Sequence, residues 1–236
     1  MKIIKQLSLL LLSIILILGV CGCMEQKNNE FEISNIKEII EQRYNEEFAV
    51  EYFQPAKDET YTDILTVSNK NGIVFNAYQT NDESDITDVY PEAIINSKLK
   101  DYIVSASGTS AKFDINVLGI LSDGSVLDID YANNYTVSSA NKDFIKMVVI
   151  VSLNGDIASN KNDLYKIYSE LIKFDSNLIE FEVVSLSEAD EELSKVINNP
   201  LGYYDNNWDE LDAVDTYLDI KDKNITSPED LVKEVK

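Results

Sequence analysis

The run FIKMVVIVSL at residues 144–153, then NDLYKIYSELIKF at 162–174 and LIEFEVVSL at 178–186, decides the fold. The first is a nearly unbroken apolar stretch rich in β-branched residues, as expected of a central strand buried on both faces. It stops at Asn154-Gly155, a turn pair. In the second, Leu164, Ile167, Tyr168, Leu171 and Ile172 recur at helical spacing and form one apolar stripe. The third reads as a strand again. Strand, helix and strand in that order imply a β-α-β crossover. SEADEELSKVI at 187–197 then reads as a further helix, with Ser187 and Asp190 at capping-box spacing.

Working back toward the N-terminus, FDINVLGILSDGSVLDIDY at 113–131 reads as a hairpin turning at Asp123-Gly124. That register sets Ile120 against Leu127 and Leu118 against Ile129, and puts Asp128 and Asp130 on the wet face. YPEAIINSKLKDYIVSA at 90–106 groups Ile94, Ile95, Leu99, Tyr102 and Ile103 on one helical face, with Pro91 in its first turn. TDILTVSNKNGIVFNAYQT at 62–80 predicts an earlier hairpin turning within 69–72, and FAVEYF at 48–53 a strand. Before it, Ile36, Ile39, Ile40 and Tyr44 share a helical face that opens at Ser34 and closes near Asn45. The class expected is α+β: antiparallel hairpins packed with amphipathic helices, and a β-α-β unit in the second half. Its body spans 33–200, with two small modules dividing near 108–111.

Residues 201–236 change character. They are dense in Asp and Asn, hold the only tryptophan, Trp208, and end in TSPEDLVKEVK, where Ser227 caps, Pro228 takes the first helical position and Asp230 completes a capping box. An acidic segment closing in a short helix is the expectation.

The first residues, MKIIKQLSLLLLSIILILGVCGC, carry Lys2 and Lys5 before an apolar run at 7–20. That run is short for a bilayer core about 30 Å thick, which wants about 20 residues, and has the length of a secretory signal's apolar region. Val20, Cys21, Gly22 and Cys23 resemble the lipobox of bacterial membrane lipoproteins. The resemblance implies cleavage after Gly22, leaving residues 1–22 as a signal peptide. It also implies a diacylglyceryl thioether on Cys23, with 23–32 as a lipid-anchored tether. Two acyl chains anchor stably where one is marginal. Cys21 follows bulky Val20 and leaves with the signal. With one arginine, Arg43, against 19 lysines, the composition is similar to that of surface lipoproteins of low-GC Gram-positive bacteria. The expected location is therefore the extracytoplasmic face of the cell membrane.

The charge narrows the partners. The 236 residues carry 42 acids against 20 bases, a net −22, and loss of Lys2 and Lys5 makes the mature chain more acidic still. That field repels nucleic acid and anionic lipid, and attracts cations or a basic protein. The chain has no histidine, and its one cysteine after processing would carry lipid. Ser-His-Asp and Cys-His catalysis and thiolate metal sites are thereby excluded. No phosphate-cradling glycine loop occurs. Ser-x-x-Lys spacings at Ser34/Lys37, Ser97/Lys100 and Ser139/Lys142 come at about the chance rate for so much Ser and Lys. Asp205, Asn207 and Asp209 begin like an EF-hand loop, but Glu210 and Thr216 stand where glycine and the bidentate glutamate belong. A looser acidic set, Asp209, Asp212, Asp215 and Asp219, and an aromatic and acidic patch at Tyr203, Tyr204 and Trp208 are the remaining features of the tail. No residue is nominated as catalytic, cofactor-binding or metal-ligating, and Cys23 is the one site assigned.

These features favour a non-enzymatic binding or interaction module that engages or neutralises a basic partner. The competing readings are a small-molecule or divalent-ion receptor of an uptake system, and a wall hydrolase working with two carboxylates.

Overall fold

The computed structural model describes residues 29–56, 62–79, 85–109, 113–121, 128–138, 144–174, 176, 178–186, 214–221 and 225–236. The protein is α+β, and the described residues form two four-stranded sheets. By contacts the chain divides into two compact units: one runs to Gly72 and takes in Asn76–Asp88, the other comprises Ile73–Phe75 and Val89–Lys236. The seam expected near 108–111 thus lies inside the second unit.

The first unit contains helix α1, described over 29–44. Its sheet runs in the order β1 (Phe48–Gln54), β2 (Asp63–Asn69), β3 (Val74–Gln79), β4 (Ile86–Asp88). β1 pairs antiparallel with β2, and β3 with β4. The expected β2–β3 hairpin is present, its turn closed by Gly72 N–H donating to Asn69 C=O at 2.9 Å. Gly72 has φ +77°, a left-handed value that glycine adopts without a Cβ penalty. α1 begins earlier than the expected Ser34 cap, so residues 29–32 of the supposed tether are helical and Ser34 lies inside the helix. Ile36 and Ile40 are fully buried on its inner face. The helix stops at Asn45, whose φ of +50° ends the ladder in the way Asn tolerates best.

α1 is tied to the sheet by its last turn. Arg43 forms an ion pair with Asp88, whose side chain is only 1% exposed, and Tyr44 O–H donates to the other oxygen of the same carboxylate at 2.6 Å. Arg43 also donates to Ile86 C=O at 2.6 Å. Burial, then the Asp88 carboxylate, push the Tyr44 phenol well above its ordinary pKa, because an ionised ring would face a fixed negative charge.

In the second unit the sheet order is β5 (Asp114–Leu121), β6 (Phe144–Asn154), β7 (Leu178–Leu186), β8 (Val214–Lys221). β5 and β6 are antiparallel, β6 and β7 parallel, β7 and β8 antiparallel. The parallel pair is joined through α4 (Lys161–Leu171), which is the crossover that the deciding stretch predicted. Leu164, Ile167, Tyr168 and Leu171 are buried as expected. Ile172, past the end of the helix, is 41% exposed.

α2 (Tyr90–Ser107) and α4 pack on one face of this sheet. Tyr168 meets Phe181 edge-on at 5.7 Å, and a Cβ on Gly119 would lie 2.8 Å from Leu99 of α2 and 2.6 Å from the Phe144 ring. The register puts Val117, Met147, Val149, Val151, Phe181, Val183, Leu218 and Ile220 in this helix-facing row, all essentially unexposed. The opposite row is apolar in part: Leu118, Val148, Ile150, Val184 and Leu186 form a second buried cluster. β6 is accordingly buried on both faces from Met147 to Leu153.

The hairpin expected at Asp123-Gly124 is corrected. Leu118 pairs with Val148 and Ile120 with Lys146, while Ile129 opens the short helix α3 (Ile129–Asn134). The eleven residues of β6 offer β5 a longer, more apolar partner than residues 126–131 do. Asp128 caps α3 instead, its carboxylate accepting from Asp130 N–H at 2.9 Å. Asp123-Gly124 and the helix expected at 187–197 lie outside the described residues.

The tail is also corrected: β8 is a strand of the sheet, with Leu218 and Ile220 buried, because its alternating apolar positions complete the helix-facing row. The closing helix α5 (Pro228–Val232) is as expected, Ser227 Oγ accepting from Asp230 N–H at 3.2 Å. Beyond α5, Lys236 and Tyr217 exchange backbone hydrogen bonds at 2.8 and 3.2 Å, and this covers part of the β8 edge.

Candidate functional site

Among the described residues a surface depression is built on α3. Lys98 of α2 donates to the carbonyls of Ala132 at 2.9 Å, Asn133 at 2.7 Å and Tyr135 at 3.0 Å. One ammonium thus serves two carbonyls of the helix C-terminus and that of the cap residue Tyr135, and a six-residue helix too short to stand alone is held in place. With the helix fixed, the i, i+4 pair Tyr131 and Tyr135 stack at 5.8 Å with their rings tilted 47°. Tyr135 is fixed further by the Phe144 ring, which it meets edge-on at 6.1 Å. Tyr131 remains 46% exposed. Asp130, Tyr131, Asn134, Tyr135 and Thr136 line a shallow, open depression of about 470 Å³.

The polar groups on the rim have one dominant sense. Asn134 turns its side-chain N–H inward to the Asp130 carbonyl at 2.8 Å. Exposed Asp130 contributes a carboxylate, and exposed Asp128 stands at the cap of the same helix. What the depression offers a visitor is aromatic surface bordered by acceptors and negative charge.

A second cluster lies on the sheet. Glu182 and Asp219 stand opposite each other across β7 and β8, and Glu180 opposite Lys221. Like charges directly opposed disfavour pairing. Lys146 at 2.6 Å and Lys221 at 3.3 Å from Glu180 offset them, with Asp219 3.6 Å from Lys221. Burial works against the charge on Lys221, but Asp219, Glu180 and Glu182 together hold its pKa above the ordinary value. Among the described residues no three His, Cys, Asp or Glu side chains are placed to hold a metal ion.

Of the sites the sequence singled out, Cys23, Tyr203, Tyr204, Asp205, Asn207, Trp208, Asp209, Asp212 and the Ser139/Lys142 pair lie outside the described residues. Asp215 and Asp219 are both on β8. Lys37 is engaged by Glu41 in an i, i+4 ion pair on α1. Sequence reasoning missed Tyr131, Asn134 and Tyr135 by assigning 126–131 to a strand. The signal was there: Asp128 stands at an N-cap position, and Asn133-Asn134 are poor strand formers.

In overall fold the chain is similar to a DUF5037 family protein from Ruminococcus gnavus ATCC 29149, with a TM-score of 0.52 and 15% identity, over 86% of this chain and 98% of that one. At that identity the likeness shows the fold alone. No protein-family model matches the chain, and no curated protein matches it. Among the described residues no helix is long and apolar enough to cross a membrane.

Proposed function

We propose that the protein is a lipid-anchored binding module on the outer face of a bacterial cytoplasmic membrane, held by a diacylated Cys23 after removal of residues 1–22. It works by engaging a partner rather than by turnover. The anchor rests on the lipobox-like residues Val20 to Cys23, and the binding role on one observation, the preorganised tyrosine pair of α3 bordered by Asp130. Rigid aromatic side chains give large contact area at low entropic cost, and fixing them in advance removes an ordering penalty from binding.

The anchor is tested by labelling cells with a fatty acid and measuring the mass of the mature N-terminus. Cys23→Ser abolishes the label and Cys21→Ser leaves it unchanged. A label on Cys21, or an unmodified mature chain starting beyond Cys23, refutes the anchor. The binding role is refuted if Tyr131→Ala, in otherwise native membranes, retains every partner that crosslinks to the wild type.

A further inference from the structure

Resting on that reading, we propose that the α3 shelf recognises the cationic side chain of a basic protein, taking a lysine ammonium or arginine guanidinium against the faces of Tyr131 and Tyr135 and beside the Asp130 carboxylate. Each ring carries negative charge on its face and attracts a cation within about 6 Å of its centre. Two rings 5.8 Å apart and tilted 47° present such faces at one place. Lys98 of α2 is committed to three carbonyls on the C-terminal side of α3. A donor of the rim, the Asn134 amide, is turned onto Asp130 C=O, while Asp130 itself stays exposed. An acceptor-rich aromatic surface suits a donor that bears positive charge. A neutral glycan stacks on tyrosine as well, but gains nothing from the carboxylate or from the net charge of −22, which raises the encounter rate of a basic partner.

The probes are a short peptide of alternating glycine and lysine, the same peptide with every lysine acetylated, and a neutral N-acetylglucosamine oligomer. Each is titrated calorimetrically into the detergent-solubilised full protein at low and at physiological salt. The expected result is binding of the charged peptide alone, weakened by salt. Tyr131→Ala weakens it about tenfold, Tyr131→Phe keeps it within about twofold, and Asp130→Asn weakens it about threefold. The exposure of Tyr131 makes these variants tolerable to the fold, and their thermal midpoints verify that. If the glycan binds through Tyr131 and ignores both Asp130→Asn and salt, the cation proposal is overturned while the binding reading stands. If Tyr131→Ala binds the charged peptide as the wild type does, a diffuse acidic surface is responsible and the proposal falls. If no probe binds, the shelf as a recognition surface falls with it.

Discussion

The two four-stranded sheets of this chain are held together by different means. The β1–β4 sheet is apolar where α1 covers it and polar on its other row: Thr66 O–H donates to Asn76 Oδ1 at 2.9 Å, Asn76 Nδ2 to Tyr78 at 3.3 Å, and Ser68 to Glu51. Thr66, Ser68 and Asn76 are nonetheless buried, so each needs its partner. The β5–β8 sheet is apolar along its whole helix-facing row and over the Leu118, Val148, Ile150, Val184 and Leu186 part of the other, where a strip of Lys146, Glu180, Glu182, Asp219 and Lys221 adjoins it. Its parallel pair sits where helices cover one face. Directed bonds set the arrangement of the first sheet, filled volume that of the second. The difference predicts which kind of substitution each will refuse.

The largest effect expected is on volume in the second sheet. Phe181 is fully buried on β7 against Tyr168, and Phe181→Ala costs about 3–5 kcal/mol from lost transfer energy and the cavity left behind. Urea unfolding measures it, and a loss under about 1 kcal/mol would break the contrast between the sheets. The reverse change sharpens it. Gly119 lies where β5 passes under Leu99 and Phe144, and its N–H donates to the buried Asn96 Oδ1 at 2.9 Å. Gly119→Ala places a methyl inside both neighbours and costs about 1–3 kcal/mol by overpacking. Neutrality on the same unfolding curve would show that α2 can retreat, and that the second sheet is less tightly filled than described.

Much of this was legible in advance, and the failures share a cause. The β6–α4–β7 crossover announces itself because periodicity, length and the Asn154-Gly155 stop agree. The 126–136 segment misled because Leu127 and Ile129 alternate with Asp128 and Asp130 as in a half-buried strand, while the choice of partner for β5 lay in residues 144–154, outside any local window. β8 was obscured by its acids: Asp215 and Asp219 dilute the apolar alternation, and Lys221, two residues on along the same strand, is the cation that offsets Asp219 there. The tyrosine shelf was hidden by the misassigned strand. Its stiffness comes from Lys98, more than thirty residues away in sequence, and no spacing rule in 128–136 reveals that contact.

The smallest effect predicted is also the one that isolates the first sheet's directed bonds. Tyr44→Phe keeps the ring against Phe48 and removes only the hydroxyl that donates to Asp88. At neutral pH the loss is about 1 kcal/mol, since Arg43 still compensates the carboxylate. Alkali is more informative. The folded phenol is held protonated above the ordinary tyrosine value of 10.0, so below that pH the contribution of Tyr44 is fully present. As pH rises past it the unfolded chain ionises first, and the contribution is lost progressively until the raised folded pKa is passed. The stability difference between wild type and Tyr44→Phe is therefore flat through neutral pH and shrinks above the ordinary tyrosine value. Lysines and the other tyrosines titrate alike in both proteins and cancel. Urea midpoints at paired pH values give the difference directly. A difference that stays constant into strong alkali would mean that the hydroxyl does not bind Asp88 in solution, and that the first sheet rests on packing as the second does.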